Sequence, residues 1–354
     1  MHIGDALITP IVGGAMMATS LGVMAHASRN LDDDFMEGRL PYMGVVGAFV
    51  FASQMINFAI PGTGSSGHLG GGMLLAILLG PHAGFITMAS ILLVQALFFA
   101  DGGLLAYGCN LFNLGFFTCY VAYPLIYKPL SHLGRTRPEM HRRFMMIGAL
   151  LASVVGLQLG SLGVVFETLF SGRTDLPLGA FLTFMQPIHL AIGIVEGLIT
   201  AAVTGYLFNQ RKDLHYDVFK TAKDHPASES NQKTKRIRQV VLMVFVLALV
   251  TGGFFSHFAS LDPDGLEWSV ERVTAEGIES VTESAGIKAY LKSVQERLAF
   301  LPDYDFKEST GMRGMLLGTS TAGVAGSLLT LTLACFLGIG VRGFRRRSGI
   351  QQKS

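Results

Sequence analysis

Charge and sulfur are what this sequence has least of. Only 15% of its 354 residues are charged and 50% are hydrophobic, for a mean hydropathy of +0.46. Soluble globular domains carry about one quarter charged residues, so this balance excludes a water-soluble protein and describes an integral membrane one. The three cysteines, Cys109, Cys119 and Cys335, lie in apolar runs without CxxC spacing, which excludes a disulfide scaffold or zinc knuckle and leaves them as packing residues. No GxxxxGK[ST] pattern occurs: in the glycine-rich stretch His68, not lysine, follows Gly67, so the chain is not expected to hydrolyse ATP. HExxH is also absent, and no nucleophile sits beside a base in an apolar span, which argues against a membrane protease or other enzyme. The first apolar run lacks a basic flank, so no secretory cleavage is expected.

A helix needs about 20 apolar residues to cross the hydrocarbon core. Nine stretches present themselves, at 8–27, 41–60, 71–79 with its neighbours, 83–100, 104–127, 144–166, 181–208, 240–258 and 315–341. The expected fold is therefore all-α, a polytopic membrane helix bundle of seven spans plus two. The third stretch is short and opens on glycines, so a kinked or half-buried segment is the alternative there. Of the 27 lysines and arginines, 20 fall in the loops 28–40, 128–143 and 211–238 and in the tail from Arg342. Cytoplasmic loops collect such residues, which predicts the amino terminus outside and the carboxyl terminus inside. Residues 1–212 form one membrane unit. Residues 213–238, basic and without apolar periodicity, read as a cytoplasmic linker. Residues 239–354 form a second unit of two spans, whose outer loop 257–313 carries eleven acidic against six basic residues.

The chemistry concentrates at the amino terminus. A free Met1 amine, the His2 amide nitrogen and the His2 Nδ1 can close two fused rings on one metal, and a fourth nitrogen would complete a square. Nitrogen donors in that geometry suit Ni(II) or Cu(II), whereas sulfur-rich tetrahedra suit Zn(II) and oxygen sets suit Mg(II) or Ca(II). The stretch from Pro61, with Gly62, Gly64, Gly67, Gly70, Gly71 and Gly72, cannot be a regular helix. Irregular backbone at membrane depth survives only when buried in protein or lining a cavity. It carries one imidazole, His68, as candidate fourth ligand; the alternative is a glycine-rich turn with an incidental histidine. Asp5 is expected to shape the first residues, a supporting role around the metal. Asp101, before Gly102 and Gly103, and His189 with Glu196 on one face of the seventh span either guide a cation inward or make polar contacts between helices. Small residues repeat at Gly14, Ala18 and Gly22, at Gly44, Ala48 and Ala52, and at Gly318, Ala322 and Gly326. Such stripes serve internal packing or dock a partner membrane protein.

Met1-His2-Ile3 with Asp5, the loop Pro61 to Leu69, the run Val94 to Gly103 and the run His189 to Gly197 together resemble the substrate-specific component of energy-coupling-factor nickel and cobalt transporters. The likeness covers residues 1 to 212. The second unit, with Pro263-Asp264-Gly265-Leu266-Glu267 outside, is similar to the small accessory component of the same systems, here fused to the carboxyl end. The resemblance implies a metal site of the Met1 amine, His2 and His68, and Ni2+ or Co2+ as cargo with no prosthetic group. It also implies a transmembrane coupling protein and cytoplasmic ATP-binding subunits as partners, no nucleic acid, and a plasma-membrane location in bacteria. Gly4 and Ala6 depart from the family, which often has Pro or Ser and then Gly there; the more flexible opening would loosen the site. A square of nitrogens favours nickel over cobalt, which more often takes higher coordination. The alternative function is a self-sufficient proton-coupled permease using Asp101, His189 and Glu196.

Overall fold

A computed structural model describes residues 2–31, 40–133, 137–172, 177–210, 230–273, 286–306 and 312–347. The first long helix, α1 (Pro10–Arg29), is capped by Thr9, whose Oγ1 accepts from the Val12 amide at 3.4 Å, and Pro10 occupies the first turn where its missing N–H is not needed. Helix α2 (Leu40–Gln54) leads into a hairpin of β1 (Phe58–Ile60) and β2 (Ser65–Gly67), antiparallel with Ile60 opposite Ser65. Then come α3 (Gly72–Leu79) and α4 (Pro81–Phe98), joined through Gly80 at a φ of 82° that glycine adopts without strain. Helix α5 (Tyr107–His132) winds with π-helical turns through Phe112–Tyr127 and contains Pro124. Helices α6 (Pro138–Ser171), α7 (Leu178–Gln210) and α8 (Ser230–Gly253) follow. The short α9 (Gly265–Val273) and α10 (Ile287–Leu298) precede the last helix, α11 (Met312–Arg347).

Among the described residues, α1, α4 to α8 and α11 are long and apolar enough to cross a membrane. The other two expected crossings are shorter. Helix α2 stops after 15 residues, an axial length of about 22 Å, because the chain from Phe58 pairs as the hairpin instead of continuing to residue 60. Helix α3 has eight residues, all buried, so it sits inside the bundle as a half-segment. A second departure lies in the expected linker. Helix α8 starts at Ser230 rather than near 240, since no proline lies between Pro226 and residue 240 and the lysines and arginines there are good helix formers. Residues 213–229 of the linker lie outside the described ones.

The core gathers around α2, α3 and α4, with Tyr42, Phe51, Phe85 and Phe99 fully enclosed. The two units meet there, because α8 and α11 pack along α2. Two of the three small-residue stripes make that contact. A Cβ on Gly44 would lie 2.6 Å from Cys335 Sγ, and one on Gly326 would lie 2.1 Å from Phe51 Cζ, so these helices approach by omitting side chains. The first stripe differs: a Cβ on Gly14 or Gly22 meets nothing within 4 Å, so α1 turns it away from the chain's own helices.

Because the Phe51 ring fills the space beside Gly326, Gly326→Val should overpack the junction at a cost of about 1–3 kcal/mol. Thermal unfolding of the purified chain in detergent should show a lowered midpoint, and an unchanged midpoint would contradict this packing.

Candidate metal centre

The start of the chain is bound into the bundle by one amide side chain. The Ile3 N–H donates to Asn110 Oδ1 at 2.7 Å, and Asn110 Nδ2 donates back to the Ile3 carbonyl at 3.1 Å. The Gly103 N–H adds a bond to the same carbonyl at 2.9 Å. Ile3, Leu7 and Ile8 are fully buried, packed with Leu105, Cys109 and Phe181 and with Leu266 and Val270 of α9. The sequence suggests that Asp5 hydrogen-bonds the first residues; among the described residues its carboxylate bonds elsewhere. Its Oδ1 accepts from the Ala106 N–H at 3.0 Å, because the 3-10 turn Asp5–Leu7 aims the carboxylate across at the loop before α5. Asp5 thus fixes the neighbouring loop, and Asn110 holds the leading residues. A buried asparagine inside an otherwise apolar run was the available signal for it.

This anchoring places His2 over His68. Their rings stack with centroids 5.0 Å apart and planes 10° apart. His68 is carried by β2 and the glycine run after it, which three buried side chains hold from behind. Gln54 Nε2 donates to the Gly70 carbonyl at 2.8 Å, Gln95 Nε2 donates to Gln54 Oε1 at 3.0 Å, and Glu196 Oε2 accepts from the Gly70 N–H at 2.6 Å. His68 Nδ1 lies 3.0 Å from the Leu69 carbonyl. A carbonyl only accepts, so Nδ1 carries the proton and Nε2 is left with its lone pair, the form a metal requires. Burial holds the His68 pKa down to about 4, so the ring is neutral near pH 7.

His2 is tied differently. Its Nδ1 lies 3.1 Å from Asp101 Oδ1, and its buried Nε2 has no hydrogen-bond partner among the described residues. Nδ1 is the atom that the sequence reading assigns to the chelate, and here it faces a carboxylate. Burial alone would raise the Asp101 pKa, but the His2 imidazole beside it and hydrogen bonds from His2 and Tyr304 outweigh that and keep it below the usual carboxylate range. Met1 lies outside the described residues. Among the described residues no three His, Cys, Asp or Glu side chains converge as a metal-binding set, so a cation held by His2 and His68 must complete its shell with main-chain nitrogen or solvent.

His189 and Glu196, two turns apart on α7, are both buried and both turned toward the glycine run. His189 Nδ1 lies 2.8 Å from the Met185 carbonyl, and the ring lines a small pocket with His68 and Asp264. The second unit covers this end of the bundle. The Ser66 N–H donates to the Pro263 carbonyl at 2.8 Å, Ser66 Oγ to the Asp262 carbonyl at 2.7 Å, and Trp268 Nε1 to the Thr63 carbonyl at 3.0 Å. Asp264 Oδ1 caps α9 by accepting from the Leu266 and Glu267 N–H groups, each at 2.8 Å. A Cβ on Gly265 would lie 2.6 Å from Ile188 Cγ2 and 3.1 Å from His189 Cε1, so the close seat on α7 needs glycine. Between the two units a cavity of about 340 Å³ opens over His2 and His68, lined by Asp101, Asp262, Asp264, Glu267, Asp303 and Asp305. Composition alone signalled an acidic outer loop; which carboxylates gather over the imidazoles depends on contacts some 200 residues apart.

Residues 2–214 match the family described as the cobalt uptake substrate-specific transmembrane region, and residues 238–343 match the PDGLE domain. A Haloquadratum walsbyi protein named for metal transport is 34% identical over 226 residues, which span 64% of this chain and 98% of that one. A fused nickel transport protein of Rhodobacter capsulatus is 32% identical over 226 residues, spanning 60% of this chain and 63% of its own. The crystal structure of a truncated transition metal transporter, 30% identical, superposes with a TM-score of 0.52 over 59% of this chain and 99% of that chain.

Asn110→Ala would leave the buried Ile3 amide unpaired, a cost of about 1–3 kcal/mol. Affinity for Ni(II), followed by calorimetric titration, should then fall roughly ten- to a hundredfold with helical circular dichroism intact; unchanged affinity would show that the leading residues are not needed.

Proposed function

Since the chain belongs to the cobalt-uptake substrate-specific transmembrane family, with a PDGLE domain joined to it, we propose that it captures Ni(II) in preference to Co(II). It then passes the ion inward when coupled to an ATP-driven motor. The chain is a multi-pass membrane protein of a metal-uptake family, placed in the plasma membrane. As the substrate-binding component of an energy-coupling-factor system it works with a transmembrane coupling protein and cytoplasmic ATP-binding subunits. The metal-binding unit is 1–212, the linker 213–238 is cytoplasmic, and the accessory unit is 239–354. Met1 and the PDGLE segment face the outside, where the ion arrives.

The observation that carries this reading is the pair of stacked imidazoles, with His68 Nε2 already in the metal-ready tautomer. With a free Met1 amine, that nitrogen, the His2 amide and His2 Nδ1 supply three donors and His68 the fourth. All-nitrogen donation in a plane is why nickel is favoured. Ligand protons must leave first, so affinity rises with pH. Asp5 and Asp101 support the site, Glu196 holds the loop that presents His68, and His189 lines the pocket beside it. The carboxylates over the site raise the local concentration of divalent cations before capture. A proton-coupled permease is less well supported. Asp101 is engaged by His2 and Tyr304, and Glu196 Oε2 accepts from the Gly70 N–H, bonds that tie these two carboxylates to the site.

Calorimetry of the purified chain with Ni(II) tests the assignment. One residue added before Met1, His2→Ala and His68→Ala should each reduce binding at least a hundredfold, on the scale of losing a metal ligand or its support. Retained affinity in all three would refute the site, and uptake by this chain alone in ATP-free vesicles under a proton gradient would favour the permease.

A further inference from the structure

The accessory unit touches Asp101 through Tyr304, and that contact reaches His2 in two steps. The Tyr304 hydroxyl donates to Asp101 Oδ2, while Asp101 Oδ1 pairs with His2 Nδ1. Tyr304 is held there from several sides. Its ring stacks on Phe99 with centroids 5.1 Å apart, the neighbouring Asp303 N–H donates to the Phe99 carbonyl at 2.8 Å, and Gln295 Nε2 of α10 donates to the Ala96 and Gly102 carbonyls at 2.9 and 2.8 Å. The backbone on both sides of the contact is in the left-handed region. Ala100, just before Asp101, has φ 56°, while Asp303 and Tyr304 have φ 50° and 62°. These are the described non-glycine residues with positive φ, and all three meet at this junction. Non-glycine residues adopt that region at a cost, and such outliers gather where function imposes the geometry.

We propose that Tyr304 is a positioning residue for metal capture, acting through Asp101 on His2. The inference rests on the reading of His2 as a ligand. His2 Nδ1 has to leave Asp101 before it can close a chelate with its own amide. A carboxylate that accepts from a phenol at one oxygen has less charge to offer at the other, so the Tyr304 hydroxyl loosens the hold of Asp101 on the imidazole. The accessory unit thereby lowers the barrier to loading while leaving the ligands themselves unchanged.

The test is stopped-flow mixing of the purified full-length chain with Ni(II), comparing wild type, Tyr304→Phe, Asp101→Asn and the double variant, with His2→Ala run alongside. Phenylalanine keeps the stack on Phe99 and removes only the donor. Tyr304→Phe should slow association roughly three- to tenfold, a fraction of a hydrogen bond to a charged acceptor, with the dissociation rate unchanged. In the Asp101→Asn background the same substitution should have no further effect. Unchanged association in Tyr304→Phe, or an equal slowing with Asp101 already replaced, would overturn the proposal. Full binding by His2→Ala would instead refute the underlying site, a separable result.

Discussion

The structure depends on a pair of hydrogen bonds between one amide side chain and one stretch of main chain. Asn110 offers an acceptor and a donor to the N–H and carbonyl of Ile3, as a neighbouring strand would. Main-chain polar groups taken out of water must be paired, and without Asn110 the leading residues could not lie inside an apolar bundle. With it, Ile3, Leu7 and Ile8 bury completely, and their burial fixes the position of His2. The described residues after Met1 are thereby held in place, so the entropy of ordering them is met by burial within the chain itself.

The opposing half of the site follows the same logic. A glycine run has little side chain with which to hold itself, so Gln54 and Glu196 hold its backbone and Gln95 braces Gln54, from three helices in all. That support fixes the Leu69 carbonyl, which in turn fixes the His68 tautomer. The two imidazoles stack on each other and the acids line the cavity over them, with Asp101 the carboxylate that joins the two layers through His2 Nδ1. The division suits selection of a borderline transition metal at the inner position, with attraction of any divalent cation above it. The accessory unit joins the two layers, seating its PDGLE turn on β2 and α7 and its Tyr304 on Asp101.

Much of the architecture was legible because hydropathy is a local property. Long apolar runs marked the helices, and the proline and glycines after residue 60 marked a break, although not that the break is a hairpin. Ends were less legible: α2 stops early because the following residues find strand partners, and α8 begins early because helix formers continue beyond the apolar run. Residue types with distinctive chemistry draw attention to His2, His68, Asp101, His189 and Glu196, and the structure gathers these at one end of the bundle. The role of Asp5 was misjudged, since nearness in sequence to His2 did not reveal that its carboxylate turns toward Ala106. Asn110 and Tyr304 were missed for a related reason. Each acts across a long sequence separation, 107 and 203 residues, and a single chain carries no local pattern for such pairs.

The central claim is that this chain holds its ion by nitrogen alone, using the amino-terminal chelate and the two stacked imidazoles. X-ray absorption at the nickel edge of the loaded, purified chain addresses it most directly. The account predicts a planar first shell of nitrogen with the multiple-scattering signature of two imidazoles. A shell dominated by carboxylate or water oxygen would place the ion among the acids of the outer cavity and contradict it.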